Sequence, residues 1–291
     1  MDASLTRDRP SAATSQVAMT RPRPWRPTAL IWLSLGLHVV VPLGWLWRSA
    51  LWPWWVWVLV LDHLVLTLAG LWPRSALLGP SWRALPPSAV RRGQIAITID
   101  DGPDPAVTPE VLAILAAQGV KATFFCIGKR AEAHPELVAA IRSAGHAVEN
   151  HSYSHRHDFS LLGPWRMRAD LERAQALLAR LAGEAPRFFR APAGLRNPFL
   201  EPVLARLGLR LASWSRRGFD TRESEPKRVL ARLESGLAPG AILLLHDANA
   251  ARDASGSPVI LRVLPGLIER IRTAGLEPVT LRQALEEMGE S

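Results

Sequence analysis

From Gln94 onward the chain alternates short apolar runs with stretches of helical period. The runs fall at 95–99, 122–127, 146–149, 187–189, 209–214, 241–245 and 278–281. Their length and β-branched or aromatic content predict strands. Between them, Thr108-Pro109-Glu110 opens a helix, with Thr108 as its N-cap and Pro109 at the first helical position. Further helices are predicted over 135–144 and 165–182, the second with an apolar stripe of Leu171, Leu177, Leu178 and Leu181. Gly145, Gly183, Gly208 and Gly275 fall near helix ends, where a left-handed cap suits glycine. Seven strands alternating with helices predict an α/β fold with a parallel sheet rolled into a distorted (β/α) barrel.

The first third reads differently. Residues 28–47 carry no formal charge, and residues 51–72 are interrupted only by Asp62-His63. Each stretch is long enough to cross a hydrocarbon core about 30 Å thick. Their recurrence and length fit a cleaved signal peptide badly. Trp45, Trp47, Trp52, Trp54, Trp55 and Trp57 surround the turn between them, as an aromatic belt at one interface would, and Trp25 and Trp72 suit the other. Asp62 and His63 sit mid-span, as a functional pair or as a polar contact with His38.

Charge sharpens this division. The chain is formally +9, but residues 1–27 hold five Arg and two Asp (+3), and residues 73–93 hold four Arg and no acid (+4). Basic residues outside the folded domain argue against a nucleic-acid-binding role. The positive-inside rule places both flanks, and the domain with them, on the cytoplasmic face of a bacterial-type inner membrane. A single span with the second stretch lying along the interface would instead place the domain in the periplasm. The expected organisation is a disordered basic tail over 1–27, two spans over 28–72, a basic linker over 73–93 and a catalytic domain over 94–291. The one cysteine, Cys126, excludes an intramolecular disulfide and reads as a small buried apolar residue.

The candidate chemistry lies at the carboxyl ends of the strands, where barrel active sites form. Asp100 and Asp101 end the first strand; His151 and His155 follow the third; Arg190 follows the fourth; Asp220 lies past the fifth; His246 and Asp247 end the sixth. Two histidines four apart plus one carboxylate make a divalent-metal site with open positions, for which Zn2+ is the first choice. Two adjacent carboxylates can divide metal ligation from proton abstraction. His246 can donate a proton to a leaving amine. His134, His146 and His157 read as structural or surface residues. No G-x-S-x-G elbow supports a serine nucleophile.

Residues 94–291 resemble the polysaccharide deacetylase (NodB homology) family, carbohydrate esterase family 4. The resemblance rests on Thr98-Ile-Asp-Asp-Gly102, His151-Ser-Tyr-Ser-His155, Arg190-Ala-Pro-Ala-Gly194, Trp214 through Asp220, and Leu244-Leu-His-Asp247. It implies hydrolysis of an N-acetyl group on an amino sugar. It also implies Asp100 as base, Asp101, His151 and His155 as metal ligands, and Arg190 as the residue that orients Asp100. Asp220 would position His246, the general acid. A backbone N–H near Ala193 would face the oxyanion, and Trp214 and Leu244 would line the acyl pocket.

The chain departs from the family pattern at Ile99, Ala193, Arg217 and Thr221, and the last three face the substrate side. Arg216 and Arg217 read either as contacts to an anionic substrate part or as solvated arginines. The expected substrate is an amino-sugar glycan or a lipid-linked or nucleotide-linked sugar precursor. A deformylase of a lipid-linked sugar is the enzymatic rival. A catalytically inactive, membrane-anchored glycan-binding protein is the rival of another class.

Overall fold

The computed structural model describes residues 20–289. Eight parallel strands form one curled sheet: β1 (Gln94–Asp100), β2 (Thr123–Cys126), β3 (Ala147–Asn150), β4 (Phe188–Phe189), β5 (Arg210–Leu211), β6 (Arg216–Arg217), β7 (Ile242–His246) and β8 (Glu277–Pro278). Their order is β5-β4-β3-β2-β1-β7-β6, with β8 against the first residues of β1. No pairing joins β5 to β6 among the described residues, so the sheet is a half-barrel open between them. The sequence predicts seven strands. The additional one, β6, is two residues long and pairs Arg216 with Leu243 and Arg217 with Leu244.

Period-two alternation explains how a fully buried strand serves two purposes. Ile95, Ile97 and Ile99 of β1 join Leu243 and Leu245 of β7 in the core under the helices. Ala96, Thr98 and Asp100 face the other way, into the barrel, where Ala96 and Ile242 pack with Phe125 and Phe188. The side that carries polar groups at the carboxyl end is therefore the interior one. Cys126 is fully buried, and burial pushes its thiol pKa up.

Thr108 is the first residue of the helix Thr108–Ala117 and not its cap. Its hydroxyl donates to Asp247 Oδ2 at 2.6 Å and accepts from the Asp104 N–H at 2.7 Å. Asp104 Oδ1 instead takes the N–H groups of Ala106 and Val107. A buried carboxylate is a better partner for the hydroxyl than a helix end that Asp104 already serves.

A charged pair braces β3. Glu149 is fully buried and accepts from the N–H groups of Arg187 (2.6 Å) and Phe188 (2.8 Å) and from Arg282 Nη2 (2.9 Å). Burial raises the Glu149 pKa despite these partners. Arg282→Ala would leave that carboxylate without its cation. It is expected to cost about 3–5 kcal/mol of stability, read by chemical denaturation of the purified chain. A loss under ~1 kcal/mol would mean the backbone N–H groups suffice.

Ahead of the barrel stand α1 (Ala29–Trp47) and α2 (Trp52–Leu71), packed on each other. Both are long and apolar enough to cross a membrane, and 17% of each apolar window is buried. The core helix of a soluble protein would be mostly covered, whereas Trp32, Leu46, Trp54 and Leu61 stand exposed here. Asp62 is buried in the hairpin with Ser34, whose Oγ donates to it at 2.8 Å, and His38 and His63 lie within 4.0 Å of the same carboxylate.

Residues 73–93, read from the sequence as a linker, pack on the barrel. Leu85 and Ala89 join the interior core, and Trp82 bridges to Ala212. Of the stretch 1–27, residues 20–27 are described. Arg23 there donates to Glu201 at 2.9 Å and to the Leu209 carbonyl. The rest of the expected tail lies outside the described residues. The hairpin is tied to the barrel as well. The Arg196 N–H donates to the Gly70 carbonyl at 3.1 Å, and a side chain at Gly70 would run into the Arg196 backbone. Thr28 Oγ1 donates to the Leu77 carbonyl at 2.6 Å.

Candidate active site

A cleft of about 790 Å³ opens over the carboxyl ends of the strands. Asp100, Asp101, His151, His155, Ala193, Trp214, Leu244 and His246 all line it. Arg190 and Asp220 lie beneath, each with no exposed surface.

Three side chains converge on one point. Asp101 Oδ1 is 3.2 Å from His151 Nε2 and 3.1 Å from His155 Nε2. Donors bound to one small cation at ~2.1 Å and tetrahedral angles are separated by about 3.4 Å, so the spacing fits a shared ion. The ring orientations fit as well. His151 Nδ1 donates to the Arg190 carbonyl at 2.8 Å, which leaves Nε2 facing Asp101, as a proton donor in the imidazolium and as a metal-binding lone pair in the neutral ring. Asn249 Nδ2 donates to Asp101 Oδ2 at 2.7 Å, which fixes the other carboxylate oxygen. Burial would raise the Asp101 pKa, but the hydrogen bonds from His151 and His155 hold it far below the usual carboxylate range. The donor set of two imidazoles and one carboxylate suits a divalent transition metal.

Local backbone conformation aims these groups. Asp101 (φ 76°), Ser152 (φ 63°), His155 (φ 47°), Ala193 (φ 54°) and Phe219 (φ 61°) are non-glycine residues in the left-handed region, and all lie in or beside the site motifs. Such conformations persist where surrounding contacts over-determine them. The 151–155 turn is held by the Asn150 side chain, which accepts from Ser152 N, and by Asp170, which accepts from Tyr153 N and Ser154 N.

Asp100 lies beside this cluster. Its Oδ1 accepts from Arg190 Nη1 at 2.6 Å, and its Oδ2 lies 3.8 Å from His151 Nε2. Arg190 is locked in turn: Nη1 also donates to Thr98 Oγ1 (2.8 Å), Nη2 donates to the Ser213 carbonyl (2.8 Å), and the guanidinium lies over the Phe125 ring. His246, the register neighbour of Asp100 on β7, has its Nδ1 3.0 Å from Asp220 Oδ1, while its main-chain N–H donates to Asp220 Oδ2 at 2.7 Å. Burial alone would lower the His246 pKa. The Asp220 carboxylate, helped by Asp100 and Asp101, outweighs it and raises the value to about 9. His246 is therefore a cationic acid at neutral pH, with Nε2 left toward the cleft.

Several participants left no sequence signal. Asn249 reaches Asp101 from 148 residues away. Asp247, which the sequence does place beside His246 at a strand end, is buried, and burial raises its pKa to about 7 against the Thr108 hydroxyl. His157, expected to be structural or a surface residue, lines the cleft with Lys129, Arg130 and Arg222. His146 is structural: its Nδ1 accepts from Ala122 N, and burial lowers its pKa to about 4.

An open parallel barrel that gathers carboxylates and histidines in a cleft at its carboxyl ends has the groups that a hydrolase needs. Residues 88–212 match the polysaccharide deacetylase family. The chain is 32% identical to the chitooligosaccharide deacetylase of Bradyrhizobium sp. (strain ANU 289), covering 66% of this chain and 94% of that protein. It is 30% identical to the peptidoglycan-N-acetylglucosamine deacetylase of Bacillus cereus, covering 65% of this chain and 67% of that protein. A crystal structure of a peptidoglycan N-acetylglucosamine deacetylase superposes with a TM-score of 0.64 at 27% identity, over 70% of this chain and 92% of that one. The chain belongs to the polysaccharide deacetylase family, carbohydrate esterase family 4. It is a hydrolase of that type, acting on carbon–nitrogen bonds other than peptide bonds.

Proposed function

We propose that this chain is a membrane-anchored, divalent-metal-dependent deacylase that removes an acetyl group from the nitrogen of an amino sugar. The observation that carries this reading is that three kinds of group line one cleft: the Asp101–His151–His155 donor cluster, Asp100 gripped by Arg190, and His246 paired with Asp220.

Asp101, His151 and His155 would hold the metal, Zn2+ by preference. When bound, the metal supplies Lewis acidity and an acidified water. The chain's own residues do the rest. Asp100 takes the proton of the attacking water, and Arg190, bonded to its Oδ1, orients the carboxylate. The water oxygen bonds to the acyl carbon, and the carbon–nitrogen bond breaks. His246 Nε2 delivers its proton to the amine nitrogen as the electron pair returns there. Asp220 keeps the imidazole in the correct tautomer and charged. The Ala193 N–H meets the oxyanion, and Trp214 and Leu244 close around the acyl methyl. A small apolar pocket favours acetyl, with formyl as the enzymatic rival.

The hairpin α1–α2 would anchor the domain, with residues 94–291 as the catalytic unit. The +3 and +4 flanks favour the cytoplasmic side of a bacterial-type inner membrane, where lipid-linked or nucleotide-linked amino sugars are the accessible substrates. On the outer side, peptidoglycan or an exported glycan would take their place.

Chelation tests the metal. Stripping divalent ions from the purified full-length protein is expected to lower acetate release from an N-acetylated amino sugar at least ~100-fold. Added Zn2+ should restore it, and His151→Ala should abolish both metal content and rescue. Full activity in metal-free protein would sink this reading.

A further inference from the structure

A second cavity, of about 340 Å³, adjoins the catalytic cleft. The two share Trp214, Arg217 and Phe219 in their walls, so one ligand can occupy both. The chain just past α2 forms the far wall, through Trp72, Pro73 and Arg74. This proximity is built in. A Cβ at Gly194, itself at φ +74°, would lie 2.6 Å from Trp214 and 2.7 Å from Pro73, so only glycine lets the membrane helix exit and the cleft wall meet.

The cavity is cationic. Arg74, Arg216, Arg217 and Arg232 line it, and no acidic residue does. Arg232 is answered by Glu223 at 2.9 Å. Among the described residues, the other three have no carboxylate within ion-pair distance. Arg74 meets the Ser215 carbonyl, and Arg216 meets the Ser235 carbonyl. Arg217 lies over the Trp214 and Phe219 rings with its buried Nε unpartnered. The acid whose charge acts on Arg217 most, Asp220, is already committed to His246. Three guanidinium groups without counter-charges beside an apolar helix end suit a phosphate, which guanidinium can grip through paired hydrogen bonds.

We propose that this cavity is the phosphate subsite for a lipid-linked substrate, an N-acylated amino sugar joined through phosphate to a membrane-embedded chain. The lipid lies along α2, the phosphate sits among Arg74, Arg216 and Arg217, and the sugar enters the catalytic cleft past Trp214. The inference rests on the deacylase reading above and specifies its substrate. It also gives the hairpin a task beyond tethering, because the helix end is one wall of the binding site.

The test uses the full-length protein in detergent micelles and the double variant Arg74→Gln/Arg216→Gln. Acetate release is compared for N-acetylglucosaminyl phosphate esterified to a long prenyl chain, for the same sugar phosphate without lipid, and for a phosphate-free chito-oligosaccharide. The lipid-linked compound should have the lowest KM, and the double variant should raise it at least tenfold with kcat within about twofold. Activity on the phosphate-free sugar should be unchanged by the substitutions. Equal KM values for all three compounds, or a variant that loses nothing, would overturn the subsite. A separate titration with dodecyl phosphate, read by calorimetry, should saturate and weaken at least tenfold in the variant. Inorganic phosphate binding as tightly as dodecyl phosphate would overturn the lipid assignment, and no saturable binding would overturn the site. Saturable dodecyl phosphate binding without acetate from any compound would instead defeat the deacylase reading and leave the phosphate site supported.

Discussion

Asp100→Asn is expected to lower kcat by about 10²–10⁴ while leaving the metal content and the fold in place. The side chain keeps its shape and can still accept the 2.6 Å hydrogen bond from Arg190 Nη1 through its amide oxygen. Arg190, which has no exposed surface, therefore keeps its contacts to Thr98 and to the Ser213 carbonyl. What the amide cannot do is take a proton from water. The substitution thus separates proton abstraction from architecture, which Arg190→Ala would confound by emptying a buried cation site. Metal analysis provides the internal control, because the paired donors are Asp101, His151 and His155 rather than Asp100. Steady-state kinetics on an N-acetylated amino sugar would decide it. A variant within tenfold of the parent enzyme would remove Asp100 from the role of base, and loss of metal would make it a ligand.

Much of this site is legible in the sequence because parallel strands deliver their ends to one side. Asp100 ends β1 and His246 ends β7, and these two residues are direct neighbours in register. The apolar runs that locate the strands therefore also locate the side chains. The histidine pair needs only a local turn. Contacts that cross the barrel leave no such trace. The Asn249–Asp101 hydrogen bond spans 148 residues and the Thr108–Asp247 bond 139, and neither has a period. Thr108 shows the cost of local reasoning: Thr before Pro at a helix start looks like a cap, yet a buried carboxylate takes its hydroxyl. Strand β6 escaped for a different reason. Two arginines make no apolar run, and only the register with Leu243 and Leu244 makes them a strand. The basic stretch 73–93 was misleading through its charge, because Leu85 and Ala89 bury themselves among exposed arginines.

That same β6 turn carries the chain into Asp220, and the second large effect follows from this residue. Asp220→Asn is expected to move the alkaline limb of the pH–kcat profile toward lower pH by more than one unit. The sign follows from the charges around His246. Burial favours the neutral imidazole, and Asp220 is the foremost of the carboxylates that overcome it and raise the pKa to about 9. The acid form is competent below that value, so the rate falls as pH rises through it. Removing the Asp220 charge leaves burial with less opposition, and the imidazolium then loses its proton at lower pH. A cation bound by Asp101, His151 and His155 would screen Asp101 and lower the limb in both proteins, so the comparison is best made at equal metal loading. At pH 8 the variant should fall about 10²-fold or more, with part of the deficit recovered on acidification. That recovery is what a merely structural role cannot produce, since a misplaced ring would depress the rate by the same factor at every pH. An alkaline limb unchanged from the parent enzyme would mean that His246 is not the proton donor, and the acid would have to be sought among the other groups that line the cleft.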